Sequence, residues 1–373
     1  MKIGIDARLW NETGVGRYIR SLYQYLPQID GQNEYVWFFL EKEFREIEMP
    51  SKKWRKVNAN IRWHSLSEQI FLPLIFNKEG LDLLHFPYFS FPILYPGKFV
   101  IHIYDLIYDH YKNAENSTLP LWLFYIKKLG YHLVTWISMI RASAVMTLSE
   151  DSKSEIINHY HIKPNKIFIT YEAGKLENKT SSSQKIQVKT KELEPYLLYV
   201  GSAHPHKNVE NLILATKELV KKYTNLKLVL IGDDKFFYPR LNDFVHRHNL
   251  EKRVVFAGPV PNSDLATWYQ SALCFVTASK MEGFGIPPLE AMSVGCPVIV
   301  SDIPVFREIY GQAAVYFNQN DPSDIAKKIS STIFENTHLG NLVKEGYDQA
   351  RLYSWKKTIE DTVEVYKKMA ASI

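Results

Sequence analysis

Val276–Ser301 reads VTASKMEGFGIPPLEAMSVGCPVIVS, and its local structure follows residue by residue. The run ALCFVTAS leading into it is short and apolar and carries β-branched Val276 and Thr277, the pattern of a buried strand. Pro287 and Pro288 pre-set the helical φ of a first turn, LEAMSVG continues the helix, and Gly295 stops it. CPVIVSD (296–302) is strand-like again, so the stretch forms a strand–loop–helix–strand unit. Glu282 falls in the loop and Glu290 in the first helical turn. Between them, the backbone N–H groups of Gly283, Phe284, Gly285 and Ile286 can point at an anion, helped by the positive helix end. An anion cradle flanked by two carboxylates suits a nucleotide sugar, which has one diphosphate and hydroxyls on either side that need acceptors.

The same alternation extends in both directions. Strand-like runs occur at 1–6, 34–40, 81–87, 98–106, 142–149 and 166–174. Tyr18, Ile19, Leu22, Tyr25 and Leu26 form one apolar helical face within 16–26, and 152–160 reads as a further helix. Near-continuous apolar strands separated by helices predict a parallel sheet covered on both faces. The polar stretch KLENKTSSSQKIQVKTKELE (175–194) interrupts the pattern and reads as an exposed connector. Strands then return at 195–202, 227–233, 253–260, 272–279, 296–302 and 313–317, with helices at 209–223, 238–248, 262–271, 323–334 and 355–371. The expected class is α/β with two Rossmann-like parallel-sheet domains, 1–174 and 195–352, joined by 175–194 and followed by a helical segment, 353–373. A length of 373 residues agrees, being too great for one ordinary core.

The residue pattern Glu282-Gly-Phe-Gly-Ile-Pro-Pro-Leu-Glu290, within EGFGIPPLEAMSVGCPVIVSD, resembles the E-x7-E signature of family 4 retaining glycosyltransferases. GIDARLWNETGVGRYIRSL at the start resembles the opening of the bacterial mannosyltransferase-like members. The resemblance implies the GT-B fold, with two sheets facing a central cleft and the last helix crossing back to the first domain near Trp355. It also assigns roles. Glu290 would accept hydrogen bonds from the ribose hydroxyls, and Glu282 would hold hydroxyls of the transferred sugar. Lys207, in VGSAHPHKNVENL, would stabilise the leaving diphosphate. Many members carry Arg where this chain has Ser202, so one cation is missing unless His204 or His206 replaces it. Gly14 and Gly16 would face the donor diphosphate or the acceptor, with Arg17 structural, and the base would rest near Gly258-Pro-Val260.

In VIHIYDLIYD, Tyr104 precedes Asp105 where relatives commonly have His, and His102 lies two residues earlier. Residues two apart on a strand share a face, so His102 fits either the core or the site, and Tyr104 can take over the bond to a sugar hydroxyl. Front-face attack with retention of the anomeric configuration is the mechanism the resemblance implies. The donor is a GDP- or UDP-linked hexose, mannose-like favoured, and the acceptor a glycan or lipid-linked glycan of a bacterial surface polysaccharide. A nucleotide-sugar epimerase on the same fold and a nucleotide-sugar or glycan-binding protein without turnover are the alternatives. No cofactor is expected. No Asp-x-Asp occurs and no His or Cys pair has ligand spacing with partners, so no metal is expected either.

A net charge of +5, spread along the chain, does not point to nucleic acid. The 2 cysteines, Cys274 and Cys296, lie in apolar context, which fits a reducing compartment. The opening MKIGIDARLW reads as a strand rather than a leader, so a cytoplasmic protein is expected, peripheral on the inner membrane face if the basic cluster Lys52, Lys53, Arg55 and Lys56 or the apolar-basic Leu119–Arg141 meets an anionic surface. Most of Leu119–Ile140 is expected in the first domain's core.

Overall fold

The computed structural model describes residues 1–89, 91–110, 120–176, 184–335 and 339–371. The chain divides into two compact units, Met1–Glu172 with Trp355–Ile373, and Ala173–Ser354.

The first unit is built on a seven-stranded sheet: β1 Lys2–Asp6, β2 Glu34–Phe39, β3 Trp54–Asn58, β4 Leu83–Phe86, β5 Phe99–His102, β6 Ala144–Thr147 and β7 Ile167–Ile169. The order is β3-β2-β1-β4-β5-β6-β7 and every pairing is parallel, with Ile3 opposite both Tyr35 and Leu83. Side chains leave a strand on alternate faces, so two apolar layers form. Ile3, Ile5 and Trp37 pack with Tyr18, Leu22 and Leu26 of helix Gly14–Ile29 on one face, and Val36, Phe38, Leu84 and Phe86 pack with Leu72 and Phe76 on the other. Helix Trp355–Ala370 joins the first face through Ile359, Val363 and Tyr366. Its Thr362 hydroxyl is 2.9 Å from the Tyr18 hydroxyl.

One reading gains detail here and one expectation needs correction. The basic cluster around Lys52–Lys56 is the start of an edge strand: Trp54 is buried, Arg55 pairs with Glu79, and Lys53 and Lys56 donate to the carbonyls of Gly31 and Ile47. Charges on an outer strand discourage pairing with another chain, and three of the four cations have partners within this unit. Helix Leu121–Arg141 does not sink into the core. It buries only Phe124, Thr135, Ser138 and Met139, while Leu121, Trp122, Tyr125, Ile126, Leu129, Leu133, Trp136 and Ile140 are exposed. The helix is apolar on more than one side, and the sheet can cover only one.

The second unit carries a six-stranded parallel sheet: β8 Tyr196–Val200, β9 Lys227–Ile231, β10 Val254–Gly258, β11 Cys274–Thr277, β12 Val298–Ser301 and β13 Val315–Phe317. Its order is β10-β9-β8-β11-β12-β13. Leu197, Leu228, Leu230, Val276 and Ile299 meet Leu212, Ile213, Leu241 and Ile325 of the covering helices in one core. Within the polar stretch, Gln184–Leu193 forms a helix beside Asn262–Ser271, and Leu339–Arg351 lays Gly346 against Met292. Both cysteines are free and buried. Among the described residues, no helix is long and apolar enough to cross a membrane.

Candidate functional site

Each sheet reverses its strand order once, between β1 and β4 in the first unit and between β8 and β11 in the second. At such a point the loops leaving neighbouring strands diverge, and the crevice outside the strands' carboxyl ends is where open α/β sheets hold ligands. The loop after β8 carries Lys207 and the loop after β11 carries Glu282, so adjacent strands bring these two residues together despite their separation in sequence.

Lys207 Nζ donates to both Glu282 oxygens, at 2.7 and 2.8 Å, and Ser279 Oγ donates to Oε1 at 2.7 Å. Burial opposes ionisation of Glu282, but the Lys207 ammonium and the Ser279 hydroxyl outweigh it and hold the carboxyl below its usual range. Lys207 ends a 3-10 turn, Pro205–Lys207, that is closed by Asn208 at φ 54°. Asn208 Nδ2 donates to the carbonyls of Ala278 and Gln319 at 3.1 and 2.7 Å, and Lys280 N donates to the His206 carbonyl at 2.7 Å. These bonds lock the two loops to each other.

The loop then enters helix Ile286–Ser293 through Gly285 at φ 90°. A Cβ there would stand 2.1 Å from the Tyr310 hydroxyl, which donates to the Gly285 carbonyl at 2.6 Å, so only glycine fits. Gly283–Ile286 thus lies at a helix N-terminus, held from behind by Tyr310. The Phe284 ring packs edge-on against Tyr353, and its carbonyl accepts from the Tyr310 hydroxyl at 3.4 Å. Glu290 is buried one turn into the helix and accepts from the Tyr269 hydroxyl at 3.2 Å. Val260 is half-buried beyond the end of β10, past Gly258 at φ 75°.

Ser202 follows β8, and its carbonyl accepts from Tyr199 at 2.6 Å. His206 does not replace the missing cation. Burial, reinforced by Lys207, pushes its pKa down to about 3, so the ring is neutral near pH 7. His204 is shifted down as well, mainly by burial.

In the first unit the expected residues separate. Gly14 opens its helix with free space on the Cβ side, whereas a Cβ on Gly16 would meet the Trp10 carbonyl oxygen at 2.5 Å. The chain packs too closely at Gly16 to admit a side chain. His102 is completely buried, with Nε2 3.2 Å from Thr170 Oγ1 and its ring edge-on to Tyr18, and burial drives its pKa to about 3. The imidazole stacks on Tyr104 at 4.7 Å and supports it from beneath. Tyr104 lines a cavity of about 730 Å³ together with Glu68, Tyr88, Phe89, Lys127 and Tyr131. Its rings form a continuous surface, with Tyr88–Phe89 at 4.3 Å and Phe89–Tyr131 at 4.8 Å. Aromatic faces with a few polar groups suit the C–H faces and hydroxyls of a sugar.

Sequence reasoning missed Ser279, Tyr269 and Tyr310, whose roles come from packing between elements far apart in the chain. It also missed Glu172. This carboxyl is buried in the first unit with Oε1 lacking a hydrogen bond, and burial raises its pKa to about 8 against the pull of Arg17. Its only sequence signal is an acidic residue just beyond an apolar strand, in ITYEAG.

Residues 181–349 match the family described as glycosyl transferases group 1. The chain is 34% identical over 197 residues to the O-antigen chain mannosyltransferase RfbU of Salmonella typhimurium, an alignment covering 53% of each chain. It is 30% identical over 239 residues to the O-antigen chain mannosyltransferase B of Escherichia coli, covering 62% of each. The chain thus spans between about half and two-thirds of the length of these curated relatives. Among solved structures it is similar to sucrose-phosphate synthase from Thermosynechococcus elongatus, with a TM-score of 0.78, 18% identity and 100% of both chains covered. That likeness shows the fold, two Rossmann-like parallel-sheet units of the GT-B type. Residues 181–349 thus match the glycosyl transferases group 1, the family 4 type, and the chain resembles the bacterial mannosyltransferases.

Proposed function

We propose that this protein is a retaining, metal-independent hexosyltransferase. It moves a mannose-like sugar from a GDP- or UDP-linked donor to a glycan or lipid-linked glycan during bacterial surface polysaccharide synthesis. The observation that carries the reading is the Lys207–Glu282 pair beside the helix N-terminus at Ile286, at the point where the sheet reverses. The helix end and the backbone of Gly283–Ile286 attract the donor diphosphate. Lys207 stabilises its growing charge as the glycosidic bond breaks. Glu282 keeps Lys207 in place before donor arrives and then accepts from hydroxyls of the sugar. Glu290 accepts from the ribose, with Tyr269 fixing its carboxylate. Attack comes from the acceptor hydroxyl on the face that the diphosphate leaves, and a departing phosphate oxygen takes its proton.

The acceptor sugar stacks in the aromatic cavity of the first unit, where Tyr104 and Glu68 meet its hydroxyls. The exposed stripe on Leu121–Arg141 rests on the cytoplasmic face of an anionic membrane. Two tryptophans lie on it, and the helix carries Lys127, Lys128 and Arg141 but no acidic residue. A coupled assay of nucleoside diphosphate release with GDP-, UDP- and dTDP-sugars, with and without a mannosyl acceptor, tests the reading. Acceptor-stimulated release from one donor supports it, whereas tight binding of a donor without turnover favours a binding protein.

A further inference from the structure

Three helices of the first unit converge at a point that sugar transfer leaves unused. Asp109 lies on the short helix Ile107–His110, His132 midway along Leu121–Arg141, and His159 in the last turn of Glu150–Tyr160. Each offers one ligand-type atom, a carboxylate oxygen or an imidazole nitrogen, and these atoms all lie within 4.8 Å of one another. His132 Nδ1 is 2.9 Å from Asp109 Oδ1 and 3.4 Å from the Tyr160 hydroxyl, yet that carboxylate oxygen has no hydrogen bond among the described residues. The Asp109 side chain is fully buried (0% exposed), while His132 is a third exposed and His159 faces solvent. From behind, Tyr160 donates its hydroxyl to Asp109 Oδ2 at 2.8 Å. Nearby His110 is occupied, with Nε2 3.1 Å from Glu155.

A buried carboxylate with one oxygen unbonded is costly unless something compensates it. A His132–Asp109 contact alone gives no reason for His159 to turn to the same spot. A cation accounts for all three side chains and for Tyr160, since carboxylates that bind metals are oriented by a second hydrogen bond. Two imidazole nitrogens and one carboxylate oxygen suit zinc or a similar late first-row divalent ion, whereas magnesium and calcium prefer oxygen alone. Bond lengths of about 2.0–2.2 Å require donors roughly 3.3–3.5 Å apart, within reach of small rotations of the two rings. The exposed side of His159 leaves a fourth position to water.

We propose that Asp109, His132 and His159 bind a zinc-type divalent cation that ties these three helices together. Tyr108, beside Asp109, and Lys127 and Tyr131, on the helix of His132, line the aromatic cavity. The ion therefore sets one wall of that cavity without touching the transferred sugar, and its binding does not depend on the proposed activity. The test uses the tag-free full chain, stripped with chelator and titrated with zinc chloride by calorimetry, with thermal unfolding followed in parallel. The expected result is one equivalent bound, with a Tm rise on loading. His159→Ala, at an exposed position that leaves the fold intact by circular dichroism, should bind at least tenfold more weakly and lose the Tm rise. His246→Ala, on the second unit, should behave as wild type. Absence of zinc binding by the wild-type chain overturns the proposal. So does a His159→Ala variant with unchanged affinity, because the metal would then sit elsewhere.

Discussion

Lys207 and Glu282 are the residues on which the proposed chemistry turns, and they form a closed pair with both carboxylate oxygens engaged. Lys207→Ala removes the cation proposed to meet a leaving diphosphate and takes from buried Glu282 its charged partner. Steady-state kinetics with the matched donor should show kcat lower by about 100-fold or more. Glu290→Ala should act mainly on binding. Loss of charge-assisted bonds to the ribose is worth roughly 1.5–3 kcal/mol, read as weaker nucleoside diphosphate affinity in calorimetry. Tyr269→Phe, which removes only the hydroxyl facing Glu290, should cost less than Glu290→Ala in the same measurement. At this scale Glu282, Gly285 and Glu290 could be placed from one loop–helix pattern and Lys207 from a second strand–loop segment, because strand ends and helix starts fix where their backbones go. Ser279 and Tyr310 could not, since nothing local to either residue indicates which distant loop it will bond. His102 shows the opposite limit: it lies beside Tyr104 in sequence and space, yet complete burial makes it a neutral support.

Among the elements, the strands were the most legible, because strands covered on both faces read as continuous apolar runs. The exception is β3, whose WRKVN carries three polar side chains in five residues and pairs on one side only. Helix Leu121–Arg141 shows the limit of composition as a guide to burial. Its apolar residues exceed what the sheet can cover, and Leu129 remains 71% and Trp122 66% exposed. If this face meets lipid, Leu129→Asp combined with Trp122→Ser should sharply reduce co-sedimentation with phosphatidylglycerol-containing vesicles, while nucleotide binding stays unchanged. Equal partitioning of variant and wild type would refute the membrane role. Neutralising Lys52, Lys53, Arg55 and Lys56 should matter less, since three of them are engaged within the first unit.

For the whole molecule, buried titrating groups set opposing slopes in stability against pH. Folded Glu172 keeps its proton up to about 8, against 4.5 when unfolded, so unfolding releases a proton in that window and stability falls as pH rises. His102 and His206 resist protonation down to about 3, against 6.5 unfolded, and His85 is also held well below 6.5. For these residues unfolding takes up protons, so stability falls as pH drops below 6.5. The lowered histidines oppose Glu172 on the acid side, and above 6.5 the Glu172 slope remains. Thermal stability should therefore peak near neutral pH and lose roughly 2 kcal/mol between pH 6.5 and 8, at about 1.36 kcal/mol per unit. Glu172→Gln should flatten that decline in a pH series of melts. The two-sheet α/β organisation was legible because the βα alternation runs through both halves of the chain. The aromatic cavity was not, since its walls come from four separate segments. The central claim is that the site around Lys207 and Glu282 transfers a hexose with retention. Proton NMR of the first-formed product, with the turned-over donor and its acceptor, tests it most directly. The account predicts a product anomer matching the donor from wild-type protein and almost none from Lys207→Ala; an inverted first product, or full turnover by Lys207→Ala, contradicts it.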